Sequence, residues 1–125
     1  MTQDCIFCKI EKGEVPKDMV YQNERIVAFH DIAPSAPVDV LVIPRKHIES
    51  LRDMDISDIE LLGLMVLVAT EIAKDMGLDK TGYRIVFNTG SDAGQLVNHI
   101  HLHLLGGKNL GPNSNQINHS NILTF

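Results

Sequence analysis

The chain has 125 residues, 44% of them hydrophobic and 22% charged, which suits one packed domain and excludes both a largely disordered polymer and two independent units. Eleven Lys and Arg against sixteen Asp and Glu give a formal net charge of -5. Arg45-Lys46 is the one adjacent basic pair, so binding to a nucleic-acid polymer is not expected. The longest apolar stretch, 59–73, is broken by Glu60, Gly63, Thr70 and Glu71 and is too short and polar to span a bilayer. The first residues lack a charged segment followed by an apolar one, so the cytoplasm is the expected compartment. Cys5 and Cys8 lie three positions apart; a disulfide there would close almost no loop, and the pair reads as metal-binding or redox.

In chain order, residues 5–12 predict a short helix stopped by Gly13 and Pro16. Residues 18–21 and 26–30 predict a hairpin across the polar turn Gln22-Asn23-Glu24-Arg25. Pro34 and Pro37 stiffen the loop that follows, and 38–43 predicts a buried strand ended by Pro44. Residues 57–76 predict the one long helix, with Ser57 and Glu60 as a capping box and Gly77 as its left-handed stop. Its expected core stripe is Ile59, Leu62, Met65, Val66, Ala69, Ile72, Ala73 and Met76. Leu61, Leu64, Leu67 and Val68 extend the apolar surface beyond that stripe, so the helix needs a second cover, and a homodimer through it is expected. Residues 83–88 and 97–105 predict the last two strands, with a Gly/Ser/Asp loop at 89–95 between them. The fold class is therefore α+β with a mainly antiparallel sheet. Residues 1–108 form the expected domain. Residues 109–125 form a polar tail with five asparagines in 109–121, from which Ile122, Leu123 and Phe125 could dock.

The most informative segment is His99-Ile100-His101-Leu102-His103-Leu104-Leu105. On a strand, side chains alternate faces, so the three imidazoles share one face with neighbours about 6.6 Å apart in Cα, and the hydrophobes share the other. A core explains the hydrophobes. It does not explain three histidines in register. They could ligate one metal together, or one could act as nucleophile while the others handle phosphate charge and protons. A third arrangement spends one histidine on a metal and leaves two for chemistry. His30 and His119 are weaker candidates, the first for a contact with Asp31 and the second as a solvated tail residue.

The motif His-x-His-x-His-x-x followed by Gly106-Gly107 resembles the histidine triad (HIT) family, in its Hint-like branch of nucleotide-binding hydrolases. Cys5-Ile6-Phe7-Cys8-Lys9-Ile10, Ala28-Phe29-His30-Asp31-Ile32, Leu41-Val42-Ile43-Pro44-Arg45-Lys46-His47 and the Asn88 to Gln95 segment extend the resemblance over about residues 5–107. It implies a five-stranded antiparallel sheet with one long helix and one or two short ones, and a homodimer. It also implies a phosphoramidase acting on purine nucleoside phosphoramidates or related nucleotide esters. His101 would be the nucleophile, forming a nucleotidyl-histidine that water hydrolyses, with no divalent metal needed in that step. His103 would stabilise the phosphate, and His99 would complete the triad. Asp31 would bind the ribose hydroxyls and Asn88 would face the sugar-phosphate. Backbone N–H groups at Gly94 and Gln95 would approach the phosphate. Phe7, Ile10, Phe29 and Ile32 would line the base pocket, with plain core packing as the rival reading. Members with Cys-x-x-Cys imply a structural zinc held by Cys5, Cys8, His47 and His99. Two departures stand out. Leu96 occupies the position of a hydroxyl residue that assists phosphate binding or the leaving group, and the Trp-Pro-Pro-Gly ending of animal members is missing. The alternatives are a nucleotide-binding interaction module with little turnover, and a catalytic-zinc hydrolase using all three triad histidines as ligands.

Overall fold

A computed structural model describes residues 4–112. A short helix α1 (Ile6–Glu11) precedes the strands β1 (Tyr21–Gln22), β2 (Ile26–His30) and β3 (Val38–Pro44). The long helix α2 (Ile59–Asp75) follows, and then β4 (Arg84–Phe87) and β5 (Leu102–Gly106). The strands form one sheet in the order β1-β2-β3-β5-β4, and every pairing is antiparallel.

The expected α+β architecture is present, with shifts at several boundaries. The first strand starts at Tyr21 rather than residue 18. The Asn23 carboxamide oxygen accepts from the N–H groups of Arg25 and Ile26, both at 2.8 Å, which closes the hairpin as an Asx turn. The last strand begins at Leu102, not at residue 97. Residues 97–101 are irregular, anchored by the Ile100 N–H donating to the Ile48 carbonyl at 2.6 Å.

The long helix also differs from expectation at its start. A 3-10 turn, Ile56–Asp58, precedes it, and the capping box is Asp55 with Asp58, not Ser57 with Glu60. The Asp55 carboxylate accepts from the Ser57 N–H at 2.9 Å, and the Asp58 carboxylate accepts from the Asp55 N–H at 3.1 Å. The C-terminus ends as the sequence requires. Gly77 takes φ +76°, its N–H donates to the Lys74 carbonyl, and the Leu78 N–H donates to the Ala73 carbonyl, the paired bonds of a Schellman motif.

The sheet separates two apolar layers. On one face, Ile26, Ala28, Val40, Val42, Ile100, Leu102 and Leu104 pack against Leu61, Met65, Val68, Ala69, Ile72 and Ala73 of α2. The buried stripe of α2 is thus rotated from the one expected. Leu61 and Val68 lie inside, Ile59 is 59% exposed, and Leu62, Val66 and Met76 are half-buried. On the opposite face, Val27, Phe29, Leu41 and Ile43 pack under Phe7 and Ile10 of α1. That second face also carries the histidines. No helix among the described residues is long and apolar enough to cross a membrane. Ile122, Leu123, Phe125 and His119 lie outside the described residues.

Candidate active site and metal centre

The alternation expected of a strand holds through the triad, although only His103 lies in β5. Ile100, Leu102 and Leu104 enter the helix-side core, and His99, His101 and His103 take the other face. His99 is fully buried, His101 is 8% exposed and His103 is half-buried. The rings of His101 and His103 stand 5.1 Å apart. Phe7 of α1 packs edge-on against His101 at 5.1 Å and against His99 at 6.0 Å.

Each ring has its own hydrogen-bond partner, and these partners fix the tautomers. The His101 Nδ1–H donates to the carbonyl of His99 at 2.7 Å, so Nε2 keeps its lone pair. Burial lowers the pKa of His101 below the ordinary value, with the neighbouring His103 acting in the same direction and the His99 carbonyl, Asp31 and Asp39 opposing. A neutral imidazole is the form that attacks phosphorus. The His103 Nδ1–H faces two carboxylates: Asp39 Oδ1 at 3.3 Å and Asp31 Oδ2 at 3.8 Å.

His99 belongs to a different cluster. Its Nε2–H donates to the Pro44 carbonyl at 2.8 Å, which turns Nδ1 toward Cys5 Sγ at 3.4 Å, Cys8 Sγ at 3.5 Å and His47 Nδ1 at 3.2 Å. Cys8 Sγ lies 3.2 Å from His47 Nδ1. A tetrahedral zinc with bonds of about 2.3 Å to sulfur and about 2.05 Å to nitrogen places S and N about 3.5 Å apart, and N and N about 3.3 Å apart. The donor set therefore fits a closed tetrahedral cage. The Pro44 carbonyl, by taking the Nε2 proton of His99, leaves Nδ1 as the atom that could bind a cation. Burial lowers His99 to about 4, which keeps the ring a neutral ligand. Burial, together with the neighbouring Cys5, raises the Cys8 thiol to about 11, a proton that a cation would displace. The spacing of the two cysteines follows from α1. Cys5 is its N-cap and Cys8 lies one turn on, with the Cys8 N–H donating to Cys5 Sγ at 3.4 Å. Among the described residues, two groups of ligand atoms converge within 4.8 Å: Cys5, Cys8, His47 and His99, and separately Asp31, Asp39 and His103. Neither contains the whole triad.

The expected phosphate loop is arranged differently. Gly94 takes φ +82° as expected of a glycine, but its N–H donates to the Ser91 carbonyl and that of Gln95 to the Gly90 carbonyl. The Gln95 side chain donates to the carbonyls of Glu49 and Val97 and accepts from the Gly90 N–H. Both residues brace the loop from within, so neither N–H is free for a phosphate. Asn88 is half-buried after β4. Phe7, Ile10 and Phe29 are buried core beneath the histidines, while Ile32 is 89% exposed and Leu96 is 93% exposed. Asp31 turns one oxygen to the Ala33 N–H at 3.0 Å and the other toward His103, and His30 is exposed. The residue that sequence reasoning missed is Asp39, 2% exposed. The available signal was an acid placed within the otherwise apolar strand 38–43. A cavity of about 880 Å³ is bounded by Leu78, Tyr83, Arg84 and Gly111. It holds no histidine, cysteine or carboxylate, so chemistry rather than size locates the site.

Residues 4–119 match the family model described as "Scavenger mRNA decapping enzyme C-term binding". The chain is 45% identical to the purine nucleoside phosphoramidase of Escherichia coli (strain K12) over 112 residues, 90% of this chain and 94% of the relative. A HIT family hydrolase from Legionella pneumophila has a similar structure, with TM-score 0.85, 47% identity, and coverage of 86% of this chain and 96% of that one. A histidine triad protein from Clostridium difficile aligns with TM-score 0.86 and 45% identity, over 90% and 97% of the two chains. With the His-x-His-x-His face and its cysteine-histidine neighbour in place, the chain belongs to the histidine triad family, in its Hint-like branch.

Proposed function

We infer that this protein is a nucleotidyl hydrolase that cleaves purine nucleoside phosphoramidates or related nucleotide esters through a covalent intermediate on His101. The observation that carries the reading is the 2.7 Å bond from His101 Nδ1–H to the His99 carbonyl, which leaves the lone pair of Nε2 for attack on phosphorus. Nε2 attacks the α-phosphorus, and the phosphorus–nitrogen bond to the leaving amine breaks as that amine takes a proton. Water then attacks the same phosphorus, the bond to Nε2 breaks, and the nucleoside monophosphate leaves. Two easier displacements replace one difficult one. His103 faces the phosphate oxygens, Asp31 takes the ribose hydroxyls, Asn88 the sugar-phosphate, and Ile32 borders the base.

The cage of Cys5, Cys8, His47 and His99 holds a structural zinc. Bound there, the ion ties α1 and the Pro44–His47 turn to the triad, and it takes no part in phosphoryl transfer. The catalytic-zinc alternative is disfavoured because the three triad rings turn their nitrogens to separate partners. The protein acts in the cytoplasm as a homodimer through α2. Leu67 and Ile59 remain 64% and 59% exposed after the domain has formed its own core.

Turnover of a fluorogenic adenosine phosphoramidate, with and without EDTA, tests the chemistry beside His101→Ala. EDTA-resistant turnover and a nucleotidyl adduct seen by intact mass, both lost in the variant, are expected. Tight nucleotide binding without turnover in the wild type would replace this reading with the interaction module.

A further inference from the structure

We propose that Asp39 is a positioning residue for the reaction, locking His103 in the tautomer whose Nε2 is free to take up and return a proton. The inference rests on the phosphoramidase reading above for what His103 does, but the contact itself stands on geometry. Asp39 sits on β3, on the histidine-bearing face of the sheet with Leu41 and Ile43. Leu41 is the Cα partner of His103 in the β3–β5 ladder, so Asp39 is set diagonally from the ring it contacts. It is a 2% exposed carboxylate in an otherwise apolar strand, and burial of such a charge is costly unless every lone pair is used.

Both oxygens are used. Oδ2 accepts from the Ser35 N–H at 3.0 Å and from the Ser35 hydroxyl at 3.2 Å, and Oδ1 accepts from His103 Nδ1 at 3.3 Å. The Asp39 carbonyl also accepts from the Asp31 N–H at 2.9 Å, so one residue fixes the histidine and the start of the sugar-binding loop. An oxygen that can only accept demands a proton on Nδ1. The site-facing Nε2 then exchanges its proton through a balanced cycle. With substrate bound, the ring has taken a proton from solvent on Nε2 as well as keeping Nδ1–H on Asp39. The Nε2 proton passes to the leaving amine as the phosphorus–nitrogen bond of the substrate breaks, which leaves the neutral Nδ1–H ring. Nε2 then takes the proton of the attacking water as the bond to His101 breaks. While the ring carries both protons, the buried carboxylate stabilises the positive charge. This is the division of labour found between the aspartate and histidine of serine-protease triads.

Asp39→Asn separates this role from packing because it is nearly isosteric. The Ser35 N–H can only donate and lies 3.0 Å from this side chain, so the amide oxygen turns to Ser35 and the amide NH₂ turns to His103. Nδ1 must then accept, and the neutral ring carries its proton on Nε2. The expected result is a fall in kcat of about 100-fold or more, in line with the cost of a wrong tautomer elsewhere, with KM and thermal midpoint little changed. Long-range proton–nitrogen correlation spectra of the imidazoles read the tautomer without any substrate. Wild type should show His103 protonated at Nδ1, and Asp39→Asn should show it protonated at Nε2 alone. A bare Nδ1 in wild type overturns the proposal even where the variant fails to fold. A variant with wild-type kcat, or with reduced kcat and an unchanged His103 tautomer, overturns it as well. Should wild type not turn over the phosphoramidate, the functional reading falls, while the spectra still decide the contact.

Discussion

Removing the metal should unfasten the N-terminal helix without stopping the chemistry. In the loaded protein four donors come from three separate parts of the chain: α1, the turn after β3, and the segment before β5. The unfolded chain does not hold them together, so the binding energy of the ion becomes folding energy. With free zinc about 1,000-fold above its dissociation constant, the gain is about 4 kcal/mol. For a domain of roughly 110 residues, unfolding entropy is about 0.23 kcal/mol/K, which converts that gain to about 15–20 °C in the thermal midpoint. Cys8→Ser should lose most of the same increment, because Cys8 is the buried thiol set within 3.2 Å of His47 and 3.5 Å of His99. Turnover at 25 °C should persist, since His101 Nε2 is not among the ligand atoms and the His99 ring keeps its bond to Pro44. Plasma emission on protein purified without added metal, followed by melting with and without chelator, makes the assay. Zinc content near zero, or identical melts in the two conditions, would refute the reasoning. Loss of turnover at a temperature where the chelated protein is still folded would refute the separation of the metal from the chemistry.

Two further outcomes follow from the site. The nucleophile must be neutral, and burial lowers the pKa of His101, so the acid limb of kcat/KM should fall below the free-imidazole value of about 6.5. Measured on folded, zinc-loaded enzyme, a midpoint above that value would contradict the buried environment. Leu96 is 93% exposed and offers no donor where the family resemblance implies a hydroxyl, so Leu96→Ser should raise kcat several-fold with no change in melting, because its side chain contributes nothing to the core. Equal or lower kcat for this variant would remove Leu96 from the account of turnover.

Most of the fold was legible because it depends on local pattern. The β-rich apolar runs at 26–30 and 38–43, bounded by turn residues, and Gly77 after a helical run mark strands and a helix end with little help from the rest of the chain. The errors lie where tertiary contacts outweigh local pattern. Leu61 and Val68 replaced Ile59 and Leu62 in the core, where α2 follows directly on the 3-10 turn held by Asp55 and Asp58. His99 and His101 kept the alternation of a strand outside any ladder, since Ile100 is tied to Ile48 and the two rings are held by Pro44 and by the His99 carbonyl. The site divides in the same way. Residue types and spacing were enough to single out the triad and the Cys-x-x-Cys pair, because few structures call for three imidazoles in register or two thiols one helical turn apart. The role of Asp39 and the internal bonding of Gln95 were not legible, because each is defined by partners that only the fold brings together. A lone acid within a buried strand is nonetheless a physical contradiction in the sequence itself. A charge that the core cannot solvate must have a partner, and here Ser35 and the histidine face of the same sheet supply it.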